Sequence, residues 1–118
     1  MAELQINSQV LYGTPIVSLQ GELDSYSSGR VRQILDALVD GDKPVILIDV
    51  VGLEYIDSSG LGVLVSALKR VGDRAGTLAL IGPTNDVARV LRVTGLDRLF
   101  KVYIDEADAL SGIGCGQI

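Results

Sequence analysis

The first apolar and polar positions of the chain predict two short strands. Residues 4–11 alternate loosely between apolar and polar side chains, which is typical of a strand with one solvent-facing side. Gly13-Thr14-Pro15 is a turn signal, and a second strand follows from Ile16 to Gly21. Two strands joined by so short a turn predict an antiparallel hairpin.

Helical and strand patterns then alternate along the rest of the chain. Three segments repeat apolar residues at the i, i+3, i+4 spacing of one helical face, and we expect them to end near Gly41, Arg74 and Gly95. Residues 45–51 are a β-branched run, typical of a central parallel strand covered on both faces, and residues 77–81 resemble it. A short strand at 100–104 and a short helix at 106–110 complete the pattern.

The order β-β-α-β-α-β-α-β-α predicts an α/β fold. We expect a mixed, mostly parallel sheet with an N-terminal hairpin and about four helices. No repeat or linker marks a second domain within the 118 residues. We therefore expect one domain at 1–110 and a Gly-rich, flexible tail at 111–118.

Composition removes several functions from consideration. The chain has no His, the commonest general base and the usual zinc ligand. Its net charge is −5 and its Lys and Arg residues are scattered, so we expect neither a nucleic-acid nor a membrane partner. No apolar run reaches the roughly 18 residues that span a bilayer. The single cysteine, Cys115, and the acidic start without a signal peptide predict a cytoplasmic protein.

The sequence also lacks the residues that several enzymatic and cofactor-binding functions require. A serine hydrolase needs a base and a nucleophile elbow, and the sequence has neither. A phosphoaspartate receiver needs an acidic pair after its first strand, and nucleotide binding needs a Gly-rich loop. The sequence contains neither of these signatures. We therefore expect a protein that is not an enzyme and that holds no cofactor or metal.

The segment Asp57-Ser58-Ser59-Gly60-Leu61-Gly62 is the strongest candidate for function. It follows the central strand, and sites in open parallel sheets gather at the carboxyl ends of strands. Local chemistry alone favours an ordinary helix N-cap, with the glycines allowing close packing. The same position also suits a regulatory phosphate on Ser58, because a helix N-terminus offers free N–H groups and a partial positive charge.

Several residues in and near this segment have two possible interpretations. Ser59 is the rival phosphoacceptor, but it lies about 100° further round the helix than Ser58. Asp57 orders the loop by accepting backbone N–H bonds, and contact with a partner comes second. Asp24 either caps the first helix or faces the site. Leu61 either packs in the core or docks into a partner.

Three motifs resemble the anti-sigma-factor antagonist family of the STAS superfamily. They are Gly21-Glu22-Leu23-Asp24, the segment 57–64 and Thr94-Gly95-Leu96. The resemblance implies that the protein binds an anti-sigma factor that is also an ATP-dependent serine kinase, which releases a sigma factor. It further implies that this kinase phosphorylates Ser58, that the phosphorylated protein releases the kinase, and that a phosphatase of the PP2C type removes the phosphate.

The resemblance also implies a binding surface. The family's acidic residue near the phosphoacceptor matches Asp24. We expect the partner-binding residues to be Asp24, Asp57, Ser59, Gly60, Leu61 and Gly62. A STAS module that works without phosphorylation, as a scaffold or a transport-complex subunit, is the alternative function. Because no coiled-coil seam is present, we expect a monomer.

Overall fold

Five strands form one mixed sheet in the order β1-β2-β3-β4-β5. The protein is described by a computed structural model that covers residues 3–113. The strands are β1 Gln5–Leu11, β2 Thr14–Leu23, β3 Val45–Ile56, β4 Thr77–Ile81 and β5 Lys101–Tyr103. The helices are α1 Ser28–Leu38, α2 Ser58–Asp73, α3 Asn85–Val93 and α4 Glu106–Gly112, with a 3₁₀ turn at Leu96–Arg98.

The observed topology confirms the predicted fold class. The strands β1 and β2 pair antiparallel, and every later neighbouring pair is parallel. Each parallel pair is joined through a helix, which is the usual crossover between parallel strands. One helix, α1, α2 or α3, follows each of the strands β2, β3 and β4. This arrangement places the helix N-termini at the carboxyl edge of the sheet.

The apolar side chains form two layers, one on each side of the sheet. The larger layer joins the sheet to α1, α2 and α3, with Leu19, Ile48 and Leu80 among its buried strand residues. We call this side the helix-rich face. The smaller layer lies under α4 and includes Leu47 and Ala109. We call this side the α4 face.

The central strand is longer than predicted. We expected β3 to end at Val51, but it continues to Ile56. The extension lacks a β-branched run because only the helix-rich face is covered there: Leu53 and Ile56 are buried, whereas Glu54 and Tyr55 are exposed. Residues 52–56, which lie beyond the predicted strand, therefore continue it with one solvent-facing side.

The C-terminal helix also extends past its predicted end. It runs to Gly112, so Ser111 and Gly112, which we placed in the tail, are helical. Ile113 packs against the layer under α4. The rest of the predicted tail, residues 114–118 with Cys115, lies outside the described residues. Within residues 3–113, no helix has the length and apolar character needed to cross a membrane.

Candidate functional site

The strand register brings two distant segments together at the carboxyl edge of the sheet. Leu23, the last residue of β2, pairs with Ile56, the last residue of β3. The backbone N–H of Asp57 donates to the carbonyl of Leu23 at 3.2 Å. Asp24 and Asp57 therefore leave neighbouring strand ends side by side, although they are 33 positions apart in sequence.

Asp57 is the N-cap of α2. Its backbone is extended, with φ −106° and ψ −173°, and its Oδ1 accepts the N–H of Gly60 at 3.0 Å. Its carbonyl accepts the N–H of Leu61 at 2.9 Å, which starts the helical ladder. The predicted role of Asp57 in ordering the backbone is confirmed. An N-cap of this kind stabilises a helix by about 1 kcal/mol.

The two serines after the cap differ in exposure. Ser58 is the first residue of α2 and is exposed, whereas Ser59 is only partly exposed. Successive residues of a helix point about 100° apart, so the two hydroxyls face different directions. Ser58 is therefore the more accessible of the two hydroxyls to another protein.

The two glycines of the segment differ in the space around them. A Cβ atom on Gly60 would lie 2.6 Å from Cγ of Leu23, 2.9 Å from Cγ1 of Ile56 and 3.0 Å from the Leu23 carbonyl oxygen. The first turn of α2 thus approaches the ends of β2 and β3 too closely for any side chain. Gly62 is exposed, and a Cβ there would meet nothing within 4 Å. Close packing, predicted for both glycines, holds for Gly60 and is wrong for Gly62.

Leu61 packs against the helix-rich core while part of its side chain stays accessible. The core-packing interpretation is therefore confirmed. The accessible part lies in the same helical turn as Ser58. It leaves a small apolar area beside the serine.

Asp24 orders a turn but does not cap α1. Its Oδ1 accepts the N–H groups of Tyr26 at 3.0 Å and of Ser27 at 3.2 Å. The N-cap of α1 is Ser27, whose side chain makes no capping bond to the helix. The Ser27 hydroxyl instead accepts the N–H of Asp24 at 3.0 Å and lies within donating distance of Asp24 Oδ1 at 3.1 Å and of the Glu22 carbonyl at 3.2 Å. Of the two interpretations of Asp24, capping of the first helix is wrong, because the chain makes one further turn before α1 begins at Ser28.

The structure adds residues that the sequence analysis missed. A cavity of about 480 Å³ adjoins Asp24 and is lined by Glu22, Tyr26 and Arg30, among others. A smaller groove of about 170 Å³ lies between the end of β3 and α3, with Glu54 and Asp86 on its rim. A usable signal was present, since Glu22 and Glu54 both lie near the ends of neighbouring parallel strands, although the strand partner of Glu22 is Tyr55. The carboxyl edge is therefore predominantly acidic.

Comparison with known proteins places this geometry in a family. The family model for the STAS domain matches residues 5–109. The anti-sigma F factor antagonist of Paenibacillus polymyxa is 33% identical over 109 residues, which cover 92% of this chain and 93% of that protein.

Solved structures agree with that match. An anti-sigma factor antagonist from Mycobacterium paratuberculosis superposes with a TM-score of 0.83 at 27% identity, covering 94% of each chain. Unphosphorylated SpoIIAA, an anti-sigma factor antagonist from Bacillus, superposes with a TM-score of 0.77 at 26% identity. That match covers 94% of this chain and 96% of SpoIIAA.

Proposed function

This chain belongs to the STAS domain family, among the anti-sigma factor antagonists, and on that premise we propose that Ser58 is the switch of its partner binding. In its unmodified form the protein binds an anti-sigma factor that is also a serine kinase, so that a sigma factor is released. Phosphorylation of Ser58 ends that binding. The protein is itself a regulatory binding protein and not an enzyme.

The proposal rests on one observation: Ser58 is exposed at the start of α2, and other residues hold that helix start in place. The helix is capped by Asp57, and its first turn is packed through Gly60, so neither contact depends on the Ser58 hydroxyl. A phosphate on Ser58 would meet the free N–H groups and partial positive charge of the helix N-terminus. Modification therefore leaves the fold intact and changes only the surface.

The acidic surroundings explain why a phosphate would cause release. It adds about −1.5 to −2 charge beside carboxylates that already lie at this edge, including Asp24 and Asp57. A partner fitted to a neutral hydroxyl and to the accessible part of Leu61 would have to desolvate that charge, which is unfavourable without a matching cation. Binding is lost through repulsion and desolvation, without unfolding.

The covalent cycle needs no catalytic residue from this chain. The kinase transfers the γ-phosphoryl group of ATP to Oγ of Ser58, which loses its proton, and ADP leaves. A metal-dependent phosphatase of the PP2C type then cleaves the ester with water, which returns the hydroxyl and releases inorganic phosphate. Asp24, Ser59 and Gly62 complete the surface that both partners contact. Gly60, which we expected on this surface, is buried against Leu23 and Ile56 and is not part of it.

Identification of the bound partner tests the first half of the proposal. The protein is purified under gentle conditions with its natural neighbours, and the bound proteins are identified by mass spectrometry. We expect an anti-sigma factor with a serine-kinase ATP site. Recovery of transport proteins or of a scaffold complex without such a kinase would contradict the proposal.

Phosphate incorporation by that kinase tests the second half. Ser58→Ala should abolish incorporation of radiolabelled phosphate, whereas the matched control Ser59→Ala should retain it. Both variants should keep the melting temperature of the parent protein, because neither side chain is buried. Phosphate found on Ser59 by mass spectrometry would refute the assignment.

A further inference from the structure

The two outer strands of the sheet differ in how well their edges are shielded. Proteins protect free edges with short strands, bulges, prolines or charged residues, especially Lys. The strand β5 has three residues and begins with Lys101. The strand β1 has seven residues, contains no charged residue, Pro or Gly, and pairs with β2 without a register shift. Among residues 3–113, β2 is its only strand neighbour, so its other edge is open.

The limits of this open edge are well defined. The carbonyl of Leu4 already accepts the Arg30 guanidinium at 3.0 Å, and the Leu4 side chain is buried. The other end is closed by the hairpin turn, where Tyr12 and Gly13 have φ values of +52° and +78°. The edge that can accept another strand is therefore β1 itself.

The side chains of β1 are arranged almost symmetrically about Ser8. On either side of Ser8 stand first an amide, Asn7 or Gln9, and then an aliphatic residue, Ile6 or Val10. In an antiparallel pair, residues directly opposite each other lie on the same face of the sheet. A second copy of β1, turned about Ser8, would place Ile6 opposite Val10 and Asn7 opposite Gln9, and each match would occur twice.

We propose that β1 pairs antiparallel with β1 of a second copy, with the two-fold axis at Ser8, and joins the two sheets into one. Val10 is 66% exposed in the single chain, and this register covers it with Ile6 of the other copy. Ser8 is exposed as well, so α1 leaves this half of the strand uncovered on the helix-rich face. An unrelated strand would have no reason to match this symmetric pattern.

Charge and symmetry set the strength and the size of the assembly. Each copy has a net charge of −5, so two copies repel each other at a distance, but the contact itself places no like charges opposite one another. Added salt should therefore strengthen the association. Because the same strand is used on both sides, assembly closes at the dimer. The expectation of a monomer rested on the absence of a coiled-coil seam, and pairing through a strand edge needs no such seam.

Sedimentation velocity over a concentration series tests the dimer. The parent protein should shift from monomer toward dimer as concentration or salt rises, and Val10→Lys should stay monomeric because it places an ammonium group opposite Ile6. The matched control Val93→Lys alters a similarly exposed aliphatic residue on α3 and should dimerise like the parent. Circular dichroism confirms that each variant is folded. A parent that remains monomeric up to millimolar concentration, or polymers beyond the dimer, would overturn the proposal.

Cysteine cross-linking tests the register independently of that variant. In a Cys115→Ser background, Ser8→Cys should form an intermolecular disulfide quickly under mild oxidation, because directly opposite Cβ atoms lie about 4.5–5.5 Å apart. The control Asn7→Cys faces Gln9 of the other copy and should cross-link several-fold more slowly. Equal rates would refute the Ser8-centred pairing. Ser58 takes no part in this contact, so the result is independent of the proposed function.

Discussion

A single methyl group at Gly60 tests whether the start of α2 is held by close contact with the sheet. Gly60→Ala would place Cβ 2.6 Å from Cγ of Leu23 and 2.9 Å from Cγ1 of Ile56. Leu23 is fully buried and Ile56 almost so, and the Leu23 carbonyl is fixed by its bond from the Asp57 N–H. The methyl group therefore cannot be accommodated without moving α2 or the strand ends.

The magnitude follows from two opposing effects. Overpacking of this kind costs about 1–3 kcal/mol. Alanine instead of glycine within a helix contributes about 1 kcal/mol in the other direction. The matched control Gly62→Ala lies in the same helix with nothing within 4 Å of the new methyl group, so only the favourable effect acts there. The helix effect largely cancels between the two variants, and Gly60→Ala should be about 1–3 kcal/mol less stable than Gly62→Ala.

Equilibrium urea unfolding of the parent protein and the two variants measures this difference. The midpoint should rise for Gly62→Ala relative to the parent and should be clearly lower for Gly60→Ala than for Gly62→Ala. If the two variants unfold at the same midpoint with equal slopes, α2 does not approach the strand ends closely at Gly60.

Three further predictions concern caps, charges and backbone conformation, and each is measured as a free energy of unfolding. Asp57→Ala should cost about 1 kcal/mol through loss of the N-cap, whereas Asp57→Asn should cost much less; equal costs would contradict the capping role. Asp36→Asn removes the 2.5 Å ion pair with Arg70 between α1 and α2, and because both side chains are over a third exposed it should cost less than about 1 kcal/mol, with the difference shrinking in high salt. A larger, salt-independent loss would show that the pair is not a surface ion pair. Gly95→Ala should cost about 1–2 kcal/mol, because φ is +78° there although no atom lies within 4 Å of the added Cβ; an unchanged midpoint would refute that backbone argument.

The sequence predicted the order of elements because the helices repeat apolar residues at helical spacing and β3 and β4 are buried on both faces over most of their length. The helical spacing of α1, α2 and α3 and the apolar runs of β3 and β4 survive in the fold. The errors in the predicted strand ends occur where a strand is buried on one face only. The end of β3 at Glu54 and Tyr55 faces solvent, and the end of β2 continues past Gly21 through a register shift to Leu23. A prediction based on continuous apolar runs therefore ends both strands too early.

The site was predicted for its local part and not for its long-range part. The role of Asp57 follows from a cap before an apolar helical face, which is a local signal. The position of Asp24 beside Asp57 depends on the pairing of Leu23 with Ile56, which is a register and not a local pattern. The contrast between Gly60 and Gly62 likewise depends on how closely the helix approaches two strands. The sequence shows both residues as glycine and gives no sign of which one is in contact.

The affinity of the kinase for this protein before and after phosphorylation of Ser58 shows whether the phosphate on Ser58 controls binding. Isothermal calorimetry is done on both forms, and the melting temperature of each form is recorded in parallel. If phosphorylation of Ser58 is the switch, the affinity should fall at least about tenfold, which is about 1.4 kcal/mol, while the melting temperature stays the same. Equal affinity of the two forms, or a loss of binding that accompanies unfolding, would contradict it.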